Sequence, residues 1–352
     1  MVCPNLRFGG AEKNTVNLAN EFHYKGFNVS VVLLKKEGDL IKDLNPDIKI
    51  LVLNKSRSRY AIMAFLKLLK GDGKIVVISM LRESSMMVSL SMLFLKTKPY
   101  FIIREACHYE SRNLIYKKLI TYLYSKADLF ISNSESTLSS FNDQGLLNKV
   151  PTKVVYNPVL PNKFFQKLDE DIEHKWLDSP EMITLITGGR LEKEKNIDLV
   201  IRAFNLLSKN NNNLRLLILG DGSEKEKLQI LIQDLNLSDK VEILGFVNFP
   251  AIYIKKSDLF VMATINEAFG NLLVESMACG TKVLSKNSGG PVEILKNGKI
   301  DFLKPFNSPK ELAFEIEEAL ISPVDTSILI ERSKDFRVKK IINEYLEIFK
   351  TL

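Results

Sequence analysis

The 352-residue chain is predicted to be an α/β protein with two doubly wound parallel sheets. Short apolar runs alternate with amphipathic segments from end to end, a pattern typical of parallel strands joined by helices. The pattern restarts near Met182, after a charged stretch at 161–180 that we interpret as a connector. The length also exceeds that of one ordinary domain. We therefore expect two facing domains, with ligands bound in the cleft between them at the carboxyl ends of the strands.

The N-terminal domain is predicted over residues 1–160. Its strands are β-prone apolar runs, and its helices carry apolar positions at helical spacing. The first strand is reduced to Met1–Pro4, which leaves open a short strand, a truncated chain or a misassigned start. The strands are predicted at 1–4, 28–34, 48–53, 74–79, 100–104, 128–132 and 153–158, and the helices at 12–24, 60–70, 84–95, 113–125 and 135–142.

The C-terminal domain is predicted over residues 161–335. The same reasoning gives four strands and four helices there, and a last amphipathic helix at about 337–349. The strands are predicted at 182–187, 214–219, 240–244 and 258–262, and the helices at 196–208, 224–235, 249–255 and 269–278.

Composition narrows the protein class. Apolar residues make up 45% of the chain, but no stretch reaches the roughly 18 consecutive apolar residues of a membrane-spanning helix. The start shows no signal-peptide pattern. Three widely separated cysteines and three histidines argue against a disulfide framework and a zinc site. We expect a reducing, cytoplasmic compartment.

Charge is shared unevenly between the two halves. Residues 1–150 hold 22 Lys and Arg against 13 Asp and Glu, a net charge of +9, whereas residues 151–352 hold 27 against 29, a net charge of −2. A basic N-terminal half favours an anionic partner such as a phospholipid surface or a lipid-linked pyrophosphate, and a merely solubilising surface stays open. No nucleic-acid-binding module is recognisable, so we expect no nucleic-acid partner.

The most informative segment is the loop and helix after the strand at 258–262. Glu267 follows this strand, and Glu275 lies on the next helix. Between them, the backbone amides of the helix start are suited to a phosphate, because they are unpaired donors with partial positive charge. Two glutamates eight residues apart also occur by chance on solvated helices. The residues assigned to this amide site are Phe269, Gly270, Asn271 and Leu272.

Positive charges follow an earlier strand in the same domain. Arg190 and Lys195 come after the strand at 182–187, where they would stabilise the charge of a departing diphosphate. Ordinary surface charge around a turn is the alternative. Further along, the Gly220–Gly222 turn lacks the third glycine of a dinucleotide fingerprint, which argues against a nicotinamide site.

Two features of the N-terminal half complete the candidate site. Gly9 and Gly10 open the first helix and keep its loop without side chains, so that a ligand can approach closely. His108 follows the strand at 100–104, and we predict that it either lines the cleft or lies on the surface.

These motifs together resemble the family 4 retaining glycosyltransferases of GT-B fold. The resemblance spans nearly the whole chain and is strongest from Gly188 to Gly290. It rests on Glu267 and Glu275 at the spacing of the family signature, on Arg190 and Lys195, on the turn ending in Val247, on Gly289 and Gly290, and on Gly9 and Gly10. Asn196 departs from the pattern, in which glycine follows the lysine.

The resemblance implies roles for these residues. Glu267 would contact the donor sugar and Glu275 the ribose, while the Val247 turn would contact the base. Arg190, Lys195 and His108 would act in catalysis, and the Gly289–Gly290 loop would support the helix of Glu275. The last helix, about 336–352, would return to the N-terminal domain. No metal or cofactor is implied, since the nucleotide-sugar donor is a substrate.

The predicted function is therefore transfer of a sugar from a nucleotide-diphosphate donor to a saccharide or a polyprenyl-pyrophosphate-linked acceptor, in bacterial cell-surface polysaccharide biosynthesis such as O-antigen, capsule or lipopolysaccharide. Peripheral association with the inner face of the plasma membrane would suit the basic domain. Two alternatives stay open, an inactive sugar-nucleotide-binding subunit and a sugar-nucleotide epimerase of the same fold. The sequence does not specify the base, the sugar, the acceptor, the linkage or the oligomeric state.

Overall fold

A computed structural model describes residues 1–7, 9–53, 58–69, 74–111 and 113–352. The chain forms two compact units. The N-terminal unit comprises Met1–Pro161 and Phe336–Leu352, and the C-terminal unit comprises Asn162–Asp335. Each contains one parallel sheet with interleaved helices, which confirms the predicted α/β class. Lys70, the predicted end of one helix, lies outside the described residues.

The N-terminal unit contains a seven-stranded sheet in the order β3-β2-β1-β4-β5-β6-β7. Buried apolar side chains form a core on each face of this sheet. A 3-10 helix follows β2 at Asp39–Asp43. The elements are β1 Val2–Cys3, α1 Gly10–Tyr24, β2 Ser30–Leu33, β3 Lys49–Val52, α2 Ser58–Leu68, β4 Val76–Met80, α3 Arg82–Met92, β5 Tyr100–Glu105, α4 Leu114–Tyr124, β6 Leu129–Ser132, α5 Glu135–Asn142, β7 Thr152–Val154 and, at the end of the chain, α14 Val338–Lys350.

The first strand is short but central. β1 has two residues and pairs in parallel with β2 through Val2 and Val32, and with β4 through Val2 and Ser79. The amino group of Met1 donates a hydrogen bond to the Ser30 carbonyl at 2.7 Å. In the structure the first strand is therefore short and paired on both sides.

The last helix packs within the N-terminal unit, against α1. Phe22 of α1 contacts Tyr345 and Phe349 of α14, with ring centroids 5.7 and 5.4 Å apart. The buried Arg104, on β5, donates from Nε to the Tyr345 hydroxyl at 2.8 Å. Aromatic packing and a buried polar contact therefore attach α14 to this unit.

The C-terminal unit contains a six-stranded sheet in the order β10-β9-β8-β11-β12-β13. Its apolar core includes buried side chains of α7 and α12. A 3-10 helix spans Lys193–Lys195 and another spans Lys334–Phe336. The elements are α6 Asn162–Lys167, β8 Ile183–Gly188, α7 Ile197–Leu207, β9 Leu214–Leu219, α8 Lys225–Asp234, β10 Val241–Gly245, α9 Ala251–Lys255, β11 Leu259–Met262, α10 Asn271–Ala278, β12 Lys282–Lys286, α11 Gly290–Ile294, β13 Phe302–Lys304, α12 Pro309–Ile321 and α13 Thr326–Ser333.

The region interpreted as a connector is structured. Its first part is α6, whose Phe164 is buried against Phe249 with ring centroids 5.2 Å apart. Further along, Lys256 forms ion pairs with Asp171 at 2.7 Å and Asp178 at 2.8 Å. Sequence periodicity missed this packing because a few apolar anchors are dispersed among charged residues.

Candidate functional site

The loop after β11 carries the first glutamate of the signature. All four residues of β11 are buried, so the strand fixes where the loop begins. The Ile265 amide donates to the Glu194 carbonyl at 2.9 Å, which ties this loop to the segment after β8. Glu267 Oε2 then lies 2.7 Å from Lys195 Nζ, and only 13% and 19% of these side chains are exposed. The structure therefore brings two of the predicted catalytic residues into direct contact.

Helix α10 begins at Asn271, two residues later than the sequence predicts. Its N-cap is Gly270, with φ +109°, a conformation that side chains other than glycine rarely adopt. The amides of Asn271 and Leu272 therefore belong to the first helical turn, whereas Phe269 precedes the cap and is buried. Amides of a first helical turn are hydrogen-bond donors without a partner within the helix and are suited to an anion.

Two glycines, Gly289 and Gly290, pack against the backbone of the Glu267 loop. The Gly290 amide donates to the Glu267 carbonyl at 2.8 Å. Gly289 has φ +58°, and a Cβ there would lie 2.0 Å from the same carbonyl oxygen. The resemblance implies support for the helix of Glu275, whereas the pair packs on the loop of Glu267 and on Phe269, before the N-cap of that helix.

Glu275 lies in the second turn of α10 and is 2% exposed. Leu273, Val274 and Met277 on the same helix are fully buried as well. Burial, together with the charge of Glu275, raises the pKa of Cys279 to about 12, so this thiol is neutral and unreactive at physiological pH.

The segment after β8 holds the predicted cations. Arg190 is exposed, and Lys195 ends the 3-10 helix. Asn196, which stands where the family pattern has glycine, adopts φ +56° and ψ +36°. Asparagine is among the few residues other than glycine that adopt this left-handed conformation readily. Its side-chain amide also donates to the Ala263 carbonyl at 3.3 Å, so the departure from the pattern keeps the backbone turn.

The ends of β8, β9 and β10 meet through backbone contacts. The Gly220 amide donates to the Gly245 carbonyl at 2.7 Å, and the Gly189 amide donates to the Leu219 carbonyl at 3.0 Å. A Cβ on Gly220 would lie 1.8 Å from the Gly189 carbonyl oxygen. At this edge of the sheet the main-chain segments are thus closely packed. Val247 lies two residues after the end of β10 and is half-buried.

The remaining predicted residues lie in the N-terminal unit. Gly9 is the extended N-cap of α1, and Gly10 is its first residue. His108 follows β5 and is half-buried, with Nε2 2.8 Å from the Ser136 hydroxyl. Each unit therefore carries part of the predicted site after the carboxyl ends of its strands.

Two charged residues outside the family motifs lie near His108 in the structure. Arg82, at the start of α3, donates from Nη2 to the His108 carbonyl at 3.1 Å. Glu105, at the end of β5, is 2% exposed and accepts a hydrogen bond from the Tyr124 hydroxyl. Burial raises the pKa of Glu105 to about 7, although the charge of Arg82 and the Tyr124 hydrogen bond oppose this. A charged residue that ends an apolar strand was the only sequence signal for Glu105.

The described residues contain neither a metal-binding cluster nor a membrane-spanning helix. No group of three or more His, Cys, Asp or Glu side chains in this part of the chain could hold a metal ion. No helix within the described ranges has the length and apolar character needed to cross a membrane.

A comparison with known protein families matches part of the chain. Residues 169–336 match the glycosyl transferases group 1 family. The matched segment contains Arg190, Lys195, Glu267, Glu275 and the whole six-stranded sheet. Most of the N-terminal unit lies outside it.

The chain is similar to proteins that carry glycosyltransferase names. The chain is 38% identical over 172 residues to N-acetylgalactosamine-N,N'-diacetylbacillosaminyl-diphospho-undecaprenol 4-alpha-N-acetylgalactosaminyltransferase of Campylobacter jejuni, over 49% of this chain and 45% of that enzyme. It therefore spans less than half the length of that relative. It is 29% identical over 287 residues to an uncharacterized glycosyltransferase of Methanocaldococcus jannaschii, over 72% of this chain and 70% of the relative.

The fold is shared with a solved structure. HepE of Anabaena, crystallised in complex with UDP and glucose, superposes with a TM-score of 0.81 at 19% identity, over 100% of this chain and 98% of that chain. At this level of identity the likeness establishes the fold, which is GT-B.

Proposed function

We propose that the chain is a glycosyltransferase that moves a sugar from a nucleotide-diphosphate donor to a saccharide or lipid-linked acceptor. The observation that carries the proposal is the contact between Lys195 and Glu267 after the carboxyl ends of β8 and β11, inside the segment that matches the family. Ligands of doubly wound sheets bind at this end of the strands. At this position the half-buried ammonium of Lys195 can bind a leaving diphosphate, and the carboxylate of Glu267 can bind a sugar.

In this proposal the donor is held by the C-terminal unit. The diphosphate accepts hydrogen bonds from the first-turn amides of α10, starting at Gly270, and from Lys195 and Arg190. Glu267 accepts hydrogen bonds from donor-sugar hydroxyls, and Glu275 from the ribose hydroxyls. The Val247 turn contacts the base.

The proposed chemistry is transfer with retention of configuration. The sugar–phosphate bond breaks, the acceptor oxygen attacks on the same face, and the acceptor proton passes to the leaving diphosphate. Arg190 and Lys195 stabilise the negative charge that develops, so no metal or cofactor takes part. His108 contacts the acceptor from the N-terminal unit, beside the backbone loop of Gly9 and Gly10.

The relatives suggest the substrate class. HepE was solved with UDP and glucose, and the name of the Campylobacter jejuni enzyme specifies a diphospho-undecaprenol acceptor. We therefore place the reaction in bacterial cell-surface polysaccharide assembly, such as O-antigen, capsule or lipopolysaccharide biosynthesis. A polyprenyl-pyrophosphate acceptor is anionic and suits a basic N-terminal half.

We further propose that the N-terminal unit associates with the inner face of the plasma membrane through α4. Leu114 and Ile115 of this helix are 71% and 81% exposed, and Leu119 and Tyr122 are exposed as well. Lys118 is exposed on the same helix. Apolar side chains flanked by lysines suit a bilayer interface with anionic lipids.

The decisive experiment is a screen of purified protein against a panel of sugar nucleotides. Binding is measured as thermal stabilisation, and transfer is measured as nucleotide diphosphate released with a polyprenyl-pyrophosphate saccharide present. A glycosyltransferase binds one donor and releases its nucleotide with formation of a glycosylated product. Binding without turnover would instead identify an inactive subunit, and isomerisation of a labelled donor without transfer would identify an epimerase.

A further inference from the structure

The loop that carries His108 contacts Arg82, the first residue of α3. Only Leu81 lies between β4 and α3. Leu81 has φ +76°, a conformation that is unfavourable for a leucine. The backbone is therefore strained at Leu81, the residue whose conformation directs the chain into Arg82.

Arg82 contacts the His108 loop in two ways. Its Nη2 donates to the His108 carbonyl at 3.1 Å, and its guanidinium carbon lies 5.2 Å from the ring centroid of Tyr109. It also lies 5.7 Å from the ring centroid of Phe141, on α5. The cation is thus half-buried among aromatic faces, where guanidinium groups interact favourably.

Glu105 provides the opposite charge beneath this loop. Burial is the largest single influence on the pKa of Arg82 and lowers it, but the charges of Glu105, Tyr124, Tyr116 and Cys107 together outweigh it and the pKa is raised. Glu105 is held by the hydroxyl of Tyr124, whose ring packs on Phe141 with centroids 6.0 Å apart. Arg82 and Glu105 therefore contact the same aromatic cluster, Arg82 through the ring of Phe141 and Glu105 through the hydroxyl of Tyr124.

The other side of the loop is held by α5 and the residues before it. Asn133 donates from its side chain to the Ala106 carbonyl at 3.3 Å, and the Tyr109 amide donates to the Ser140 hydroxyl at 3.1 Å. The ring of His108 itself meets Ser136. Arg82 differs from these residues because it is positively charged and because it contacts the backbone of His108 directly.

We propose that Arg82 and Glu105 are positioning residues that fix the His108 imidazole for the transfer step. The proposal rests on the proposed function for the role of His108 in the reaction, but the positioning itself can be measured without activity. Arg82 acts through the His108 carbonyl, and Glu105 acts by keeping Arg82 in place. Neither residue is proposed to touch substrate.

The test uses the three histidines of the chain as separate probes. His23 lies on α1 and His174 lies in the C-terminal unit, so ring signals from histidine-labelled protein report three distant places in the sequence. Each signal is assigned with a His→Gln variant. In Arg82→Met we expect the His108 signal to shift or broaden while those of His23 and His174 stay unchanged. We expect kcat for transfer to fall roughly 10- to 100-fold, with the donor KM changed far less, because a misplaced catalytic group slows the chemical step.

Three further variants make the outcome decisive. Arg82→Lys keeps the charge and should restore part of the rate, Glu105→Gln removes the counter-charge and should move the His108 signal selectively, and Arg202→Met, on the exposed face of α7, should change neither readout. Unchanged His108 signals in Arg82→Met and Glu105→Gln, or equal shifts of all three histidines, would overturn the proposal. If the wild-type protein transfers no sugar, the proposed function fails, and the histidine signals still decide whether Arg82 and Glu105 position His108.

Discussion

At the scale of single residues, the pairing of Lys195 with Glu267 is the central feature. Both side chains are largely withdrawn from water, so each charge depends on the other for compensation. Removing one partner of such a pair leaves an unpaired, partly buried charge, which usually costs more than the pair itself contributes. The contact therefore keeps an ammonium in place before any ligand binds.

Lys195→Met should chiefly slow turnover. Removing one group that stabilises developing charge typically lowers kcat by about 10²- to 10³-fold. We expect initial-rate kinetics with saturating donor to show a loss of this size. Lys193→Met is the matched control, because Lys193 is exposed in the same 3-10 helix. A raised KM with an unaffected kcat would instead assign Lys195 to ground-state binding.

Glu105 should make the stability of the protein depend on pH. Its pKa is raised from 4.5 to about 7, so between these values the folded state binds more protons than the unfolded state. Stability from this group is therefore lost as the pH rises from 4.5 to 7, by up to roughly 1.4 kcal/mol per pH unit.

Glu105→Gln should abolish that loss, since glutamine can still accept the Tyr124 hydrogen bond and does not titrate. Thermal unfolding between pH 4.5 and 8.5 should show the variant more stable than wild type at pH 8 and nearly equal at pH 4.5. The exposed Glu110→Gln is the control and should follow the wild-type curve. A variant less stable than wild type at pH 8 would contradict the direction of this shift.

At the scale of elements, loops rather than helices position the side chains of Lys195 and Glu267 in the candidate site. The loop of Glu267 is held by the segment of Lys195 on one side and by Gly289 and Gly290 on the other. Helix α10 contributes its N-terminus and Glu275. Because the Gly289–Gly290 turn contacts backbone, its effect should not depend on the side chain of Glu267.

Gly289→Ala should destabilise the protein and reduce activity. Its φ of +58° disfavours alanine, and the new Cβ would overlap the Glu267 carbonyl. The strain alone costs roughly 1 kcal/mol, and the overlap adds to this. Gly26→Ala is the control, because Gly26 has φ +86° with no atom within 4 Å of its Cβ position. Denaturant unfolding should therefore show a larger loss for Gly289→Ala than for Gly26→Ala, and equal losses would remove the steric argument.

Helix α4 should govern membrane binding. Ile115→Asp and Leu119→Asp place a charge on the exposed apolar face and should reduce cosedimentation with vesicles that contain anionic phospholipid, because burying a carboxylate in the interface is unfavourable. Ile230→Asp, on the exposed face of α8, is the matched control. Turnover of a water-soluble acceptor should be retained in all three variants. Binding that is insensitive to both α4 substitutions would exclude this helix as the contact surface.

At the scale of the whole molecule, the proposed reaction depends on protein cations for charge stabilisation. Chelation with EDTA should therefore leave the transfer rate of the full chain unchanged within about twofold, and added Mg²⁺ or Mn²⁺ should not raise it. Initial rates before and after dialysis against EDTA test this. A rate lost with EDTA and restored by a divalent cation would refute metal independence.

The sequence by itself determined the α/β class, because the alternation of apolar and amphipathic segments is a local property. It also located most of the helices and strands to within a few residues. It missed β12, α11, β13, α12 and α13, and it missed α6, since short strands with lysines at both ends and apolar anchors among charges give weak periodicity. The sequence likewise did not predict the left-handed backbone conformation of Asn196.

Only the tertiary structure decided which motif residues meet. Lys195 and Glu267 are 72 residues apart in sequence, and their contact requires β8 and β11 to be neighbours in one parallel sheet. Arg82 and His108 meet because β4 and β5 are also neighbours. Side-chain spacing along the chain carries no information about such pairings, whereas the sheet order brings the carboxyl ends of adjacent strands to one edge.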